Sequence, residues 1–197
     1  MAHVSIAPDD QLEQNSALLG LTGAAMGFVP NSLKIMARNP ALLQGFMGLT
    51  VSLMGPGAAL APDLRQLIAH IASAAAGCRY CQAHTAHGAE RAGVSAAKIA
   101  AVWSYETSPL FSDAERAALA LAQAAGSVPN TADANHFDTL KKYFSENEIV
   151  EIVGIVALFG FLNRWNDTLA TPLEESPLTF AESHLGANGW AVGKHGG

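Results

Sequence analysis

The sequence predicts an all-α protein, and three observations carry that expectation. Apolar residues recur at helical spacing along most of the 197 residues, and nowhere is there sustained strand-type alternation. Charged residues make up only 14% while alanine and glycine are abundant, a balance that favours closely packed helices with small contact residues. A hydrophobic content of 50% in a 20.5 kDa chain is enough to build a real core. The expected organisation is one domain over residues 1–197, with its core at about 26–175 and a Gly-rich C-terminal tail.

Taken in order, residues 9–26 form a weakly patterned opening, and Pro30 with Asn31 marks a turn and a helix start. Pro40 begins the next helix, "PALLQGFMGLTVSLM", closed by the breaker-rich loop "GPGAALAPD". In "DLRQLIAHIASAAAG" the residues Leu64, Leu67, Ile68 and Ile71 share one face, and Gly77 suits the position just past the helix end. A new helix starts at once and runs to about Ala92, where Gly93 stops it. "SAAKIAAVWSYE" reads as another helix, followed by one capped at Ser112 or Asp113 with Glu115 in its first turn. That helix, "SDAERAALALAQAAG", echoes "PDLRQLIAHIASAAAG" in cap, charged first turn, alanine-rich body and terminal glycine, a weak internal duplication. Two more helices follow, capped near Thr131 and at Ser145, the second with Glu148 completing a capping box. The remainder, from Ser176, is read as a tail lying over the fold or a neighbouring subunit.

The bulk properties exclude several roles. A formal charge of −6 without a Lys/Arg cluster argues against nucleic acid as a partner. Residues 149–162 are the most apolar stretch, but they fall short of the ~18–20 residues of a membrane span and contain Glu151. The opening "MAHVSIAPDDQLEQNS" carries acids where a secretory signal carries a basic region, so a cytoplasmic location is expected. In a reducing compartment a Cys-x-x-Cys pair points to catalysis or metal binding rather than to a structural disulfide.

Both cysteines and two of the seven histidines fall within residues 78–87. Cys78, Cys81, His84 and His87 recur every three residues, so on one helix the row drifts ~60° per step and climbs ~13 Å. Four donors spread in that way cannot meet at one zinc ion, and no further cysteine completes a set; no metal is expected. A redox pair fits without strain. A CxxC in a first turn brings two sulfurs together, and the helix N-terminus favours thiolate over thiol. His84 lies ~60° from Cys81 and can link a proton to the sulfur, or it can be a satisfied partner of the fold, as can His87. Residues 163–167, "NRWND", form a polar and aromatic island after the apolar stretch: a helix end, or residues closing over the cysteine pocket.

The segment "RQLIAHIASAAAGCRYCQAHTAHGA" resembles the signature of the AhpD-like alkylhydroperoxidases of the carboxymuconolactone decarboxylase superfamily. "GFVPNSLKIMARNPALLQGFMGL" and "FGFLNRWNDTLATPLE" resemble its peroxidase-related branch. The resemblance implies an AhpD-like helical bundle, homo-oligomeric assembly, and cofactor-free reduction of organic hydroperoxides. It also implies a lipoyl-bearing or thioredoxin-like protein as reductant. By position, Cys81 would be the peroxide-attacking thiolate, Cys78 the resolving thiol and His84 part of the proton relay. Gln66 stands where the family carries the relay glutamate, and His70, one turn further on, is the candidate to assist. The family's histidine usually follows the second cysteine by four residues; here that position is Thr85. A redox sensor without turnover and a non-redox decarboxylase are the alternatives.

Overall fold

The computed structural model describes residues 2–197, and all regular structure among them is helical. The helices are α1 (Asp9–Gln14), α2 (Ser16–Met26), α3 (Asn31–Met36), α4 (Pro40–Met54), α5 (Pro62–Ala75), α6 (Arg79–Arg91), α7 (Ala96–Ala100), α8 (Asp113–Gly126), α9 (Ala134–Leu140), α10 (Glu146–Leu169) and α11 (Glu175–Leu185). Single 3₁₀ turns lie at Val102–Ser104, Gly186–Asn188 and Gly193–His195.

α5 is the central element, because its apolar stripe is wide enough to be covered on several sides. Leu67, Ile68, Ala69 and Ile71 are fully buried, and α6, α8 and α10 all pack on it. α10 buries Ile152, Ile155 and Leu158 against this core but is apolar all round, which leaves Val150, Val153 and Phe161 exposed. α6 lies between α5, α10 and α11. Capping follows the sequence closely. Ser112 with Glu115 and Ser145 with Glu148 form capping boxes, and Asn39 accepts the N–H of Leu42.

The structure departs from the expected elements in four places. The opening is two helices, broken at Asn15, whose side chain bonds back to the carbonyl of Gln11. The helix after Gly93 is α for five residues only. It then tightens to 3₁₀, which buries Val102 and Tyr105 and leaves Trp103 56% exposed. The cap of α9 is Asp133, paired with His136, rather than Thr131. The first half of the supposed tail is α11, because Pro177, Phe180, Ala181 and Leu185 form a helical stripe that buries on the body of the protein.

The echoed helices α5 and α8 are 14 residues each and pack on one another. Their terminal glycines do different work. Gly77 takes a left-handed conformation, φ +78°, that turns the chain from α5 into α6. Gly126 permits close approach: a Cβ there would lie 2.9 Å from both the Cα and the carbonyl oxygen of Ala72. Gly126→Ala is therefore expected to cost about 1–3 kcal/mol in urea unfolding. Gly45→Ala, in mid-α4 with nothing near the added methyl, is expected to stabilise by roughly 0.5–1 kcal/mol. Equal effects of the two would contradict the packing described.

Candidate dithiol site

The site grows from the turn between α5 and α6. After the left-handed Gly77, the N–H of Cys78 bonds to the carbonyl of Ser73, and Cys78 becomes the N-cap of α6. Its Sγ accepts the backbone N–H of Cys81 at 3.4 Å, the bond a serine or aspartate oxygen would make. The two sulfurs thus face one another across the first turn. Their acidities diverge. The Cys78 thiol is held below its usual range by a hydrogen bond from the Cys81 thiol, against its burial and with help from backbone N–H groups. Burial pushes Cys81 well up, and lending its proton to Cys78 adds to that, while the Nδ2 of Asn166, 3.5 Å from its sulfur, acts in the opposite direction. The resemblance casts Cys81 as the attacking thiolate, whereas these hydrogen bonds favour charge on Cys78.

Both sulfurs are covered. Cys78 and Cys81 are 1% and 2% exposed, packed with Tyr80, Leu162 and Leu173. Part of the cover is a strap, residues 170–174, that leaves α10 through Ala170 in a left-handed conformation. The C-terminal turn holds it down: His195 Nδ1 donates to the carbonyl of Thr171 at 2.8 Å, and the carbonyl of His195 accepts the N–H of Leu173 at 2.9 Å. Lys194 pairs with Asp167 at 2.9 Å. Asp167 is also the nearby negative charge that opposes ionisation of both cysteines.

His84 lies one turn beyond Cys81, where the spacing predicts it. Its Nε2 meets Glu174 Oε2 at 2.6 Å, and its ring stacks on Tyr80 with centroids 4.3 Å apart. Glu174 also accepts from the Tyr80 hydroxyl at 3.0 Å and from the N–H of Asn31. Burial alone would raise the Glu174 carboxyl, but the hydrogen bond and charge of His84, with the backbone N–H of Asn31, outweigh it and hold it below the usual carboxylate range. Burial, and then the Glu174 charge, push the Tyr80 hydroxyl well up. No hydrogen bond joins His84 to either sulfur among the described residues; it contacts a carboxylate instead.

The other expected residues are placed differently. His70 is 3% exposed and bonds through Nδ1 to Thr85 Oγ1 at 3.0 Å, while that hydroxyl donates to the carbonyl of Cys81 at 2.7 Å. It supports the backbone of the cysteine turn rather than a sulfur. Burial lowers its pKa to about 4, so it is neutral. Gln66 is not beside the cysteines. Its Oε1 sits 2.6 Å from where a Cβ at Gly88 would be, which is about 10 Å along α6 from Cys81. The reason is the hairpin register: α5 and α6 run antiparallel, so each step back along α5 moves the contact forward along α6. His87 packs half-buried beside the rings of Phe28 and Phe180. Arg164 bonds to the carbonyl of Gly160 and is exposed, while Asn166, its neighbour in the polar island, reaches Cys81.

Comparison with known proteins follows the same lines. The model of the carboxymuconolactone decarboxylase family matches residues 40–124. The chain is 33% identical over 116 residues to the uncharacterized protein YnjA of Escherichia coli (strain K12); the match covers 58% of this chain and spans 63% of the length of YnjA. The crystal structure of the debrominase Bmp8, as a cysteine-to-alanine variant in complex with 2,3,4-tribromopyrrole, superimposes with a TM-score of 0.86 at 34% identity, covering 93% of this chain and 97% of that one. An uncharacterized peroxidase-related protein from Silicibacter sp. TM1040 shares the fold, with a TM-score of 0.76 at 20% identity over 86% and 90% of the two chains.

Two outcomes are expected from this geometry. The folded-state pKa of His70 lies below its unfolded value, so its contribution is complete above about pH 6.5 and is lost as pH falls toward 4. Between pH 7 and pH 5 a His70→Gln variant should lose about 2 kcal/mol less unfolding free energy than wild type; parallel curves would refute a neutral buried His70. His195→Ala removes a staple of the strap, and the rate of thiol modification by Ellman's reagent should rise roughly tenfold. An unchanged rate would mean that access to the sulfurs does not pass through the strap.

Proposed function

The chain belongs to the AhpD-like carboxymuconolactone decarboxylase superfamily, and we propose that it is a dithiol enzyme that passes two electrons from Cys78 and Cys81 to an organic hydroperoxide. The observation that carries this reading is the asymmetric sulfur pair. Cys78 caps α6 with its sulfur, which accepts the Cys81 N–H, and the Cys81 thiol lies against it as hydrogen-bond donor, an arrangement that favours charge on Cys78.

In this scheme the Cys78 thiolate attacks the terminal oxygen of the hydroperoxide. An S–O bond forms, the O–O bond breaks, and the alkoxide leaves as an alcohol after taking one proton, for which the adjacent Cys81 thiol is the nearest source. Cys81 then attacks the sulfenic sulfur, closing the disulfide and releasing water. The sum is two thiols plus ROOH giving disulfide, ROH and H₂O. An external dithiol, such as a lipoyl-bearing or thioredoxin-like protein, restores the pair. The roles of the two cysteines are thereby exchanged relative to those that the family resemblance implies. The His84–Glu174 pair, anchored by Tyr80, fixes the first two turns of α6 and sets an imidazole and a carboxylate beside them. Turnover requires the strap over residues 170–174 to open, since neither sulfur is accessible in the closed form.

A second electrophile is favoured by the likeness to Bmp8, which extends over more than nine-tenths of both chains. The same dithiol balances a reductive debromination: thiolate takes bromine from an aryl carbon, the carbon takes a proton, and the second thiol displaces bromide to give the disulfide. Gln66 lies about 10 Å along α6 from Cys81, so its lack of a carboxylate does not choose between the two.

Reduced protein offered cumene hydroperoxide, and in parallel 2,3,4-tribromopyrrole, with a regenerating dithiol separates the two by cumyl alcohol or bromide release. Cys78→Ser should abolish turnover of either. Cys81→Ser should retain one stoichiometric oxidation, seen as a sulfenic acid on Cys78 by dimedone trapping and mass spectrometry, without multiple turnovers. Full turnover by Cys78→Ser would overturn the assignment, and inertness of the wild-type pair to both substrates would overturn the function.

A further inference from the structure

A cavity of about 240 Å³ lies on the far side of α6 from Cys81. Its lining includes Arg79, Gln82, Trp103 and Trp190, with His70 and Gly77 alongside. Arg79 is about 160° around the helix from Cys81, so neither sulfur lines this space. The volume exceeds the ~150 Å³ cavity known to take benzene, so a single substituted ring fits.

Three features of the lining point to one ligand chemistry. Arg79 is only partly exposed, and its guanidinium has no hydrogen bond and no ion pair among the described residues. Its backbone carbonyl is fixed by Trp190 Nε1 at 3.2 Å, which seats the residue at the wall of the cavity. Gln82 is 8% exposed, and its side-chain amide, which makes no hydrogen bond among the described residues, is left free at the cavity wall. The lining holds no acidic side chain at all, and it lies at the positive end of α6. Two tryptophans complete it, Trp190 buried and Trp103 open to solvent at the rim.

We propose that this cavity is a binding site for a small aromatic carboxylate. The carboxylate pairs with the Arg79 guanidinium and accepts from the Gln82 amide, and the ring lies against Trp103 and Trp190. The site is distinct from the dithiol and does not rest on its chemistry.

The test uses the full chain with benzoate as probe and benzamide, its neutral isostere, as control. The three tryptophans give separate indole N–H signals in a ¹⁵N-labelled protein. Benzoate should shift those of Trp103 and Trp190 saturably and leave Trp165 in place, and should raise Tm by about 5 °C at a hundredfold excess over its dissociation constant. Benzamide should do neither. Arg79→Gln should weaken benzoate at least tenfold. Trp103→Phe, a change at an exposed side chain that leaves the core intact, should weaken it by a smaller factor. The proposal is overturned by any of four results: no saturable shift with benzoate, equal binding of benzamide, movement of Trp165 instead, or unchanged affinity in both variants.

Discussion

The hydrogen bond from the Cys81 N–H to the Cys78 sulfur is the constraint on which the site depends. A thiol is a poorer cap than the amide, hydroxyl and carboxylate oxygens that open α4, α8, α9 and α10, so this end of α6 has less support from capping than theirs. In exchange the capping atom is itself reactive, and the N–H groups that a cap must satisfy become the groups that hold its charge. The same choice of N-cap sets the register of the whole helix. It puts Cys81 in the first turn facing the first sulfur and His84 a turn later beside Glu174. It also leaves Arg79 on the opposite wall, toward the cavity lined by the tryptophans.

Around this turn the protein accepts unmet polar demand. Asn166 Oδ1, Thr171 Oγ1 and His195 Nε2 are buried without hydrogen-bond partners among the described residues. Each such group costs on the order of 1–3 kcal/mol while it stays dry. All three belong to the end of α10, the strap or the turn that pins it, so opening the strap to water offsets part of the cost of breaking its two staples, one from the His195 side chain and one from its carbonyl. A closed dithiol under a cover of limited stability follows from that balance.

Small residues determine where the helices can go. Gly126 lets α8 approach the backbone of α5 at Ala72, and Gly88 makes room on α6 for the amide of Gln66. The low charge content and the alanine-rich helices serve this close packing, which is why the helix pattern was clear from the sequence even where the ends were not. The short helix α7 and the break at Asn15 escaped because one residue's side chain and the burial of Tyr105 decide them, and neither leaves a periodic trace.

The sequence by itself determined the all-helical class, most helix ends and the first turn of α6. Capping bonds, the left-handed glycine and the CxxC spacing are all local, reaching at most a few residues along the chain. It also placed His84 one turn from Cys81. Only the tertiary structure decided what surrounds that turn. Glu174 comes from 90 residues further on, and Asn166 from 85, brought in by the packing of α10 and α11 on α6. Nothing in "TPLEE" distinguishes Glu174 from an ordinary acid at a helix start, whereas the island "NRWND" at least signalled that the end of α10 was unusual. The surroundings that bias the two acidities were likewise beyond the sequence, because burial and hydrogen bonding exist only once the helices have closed over the sulfurs.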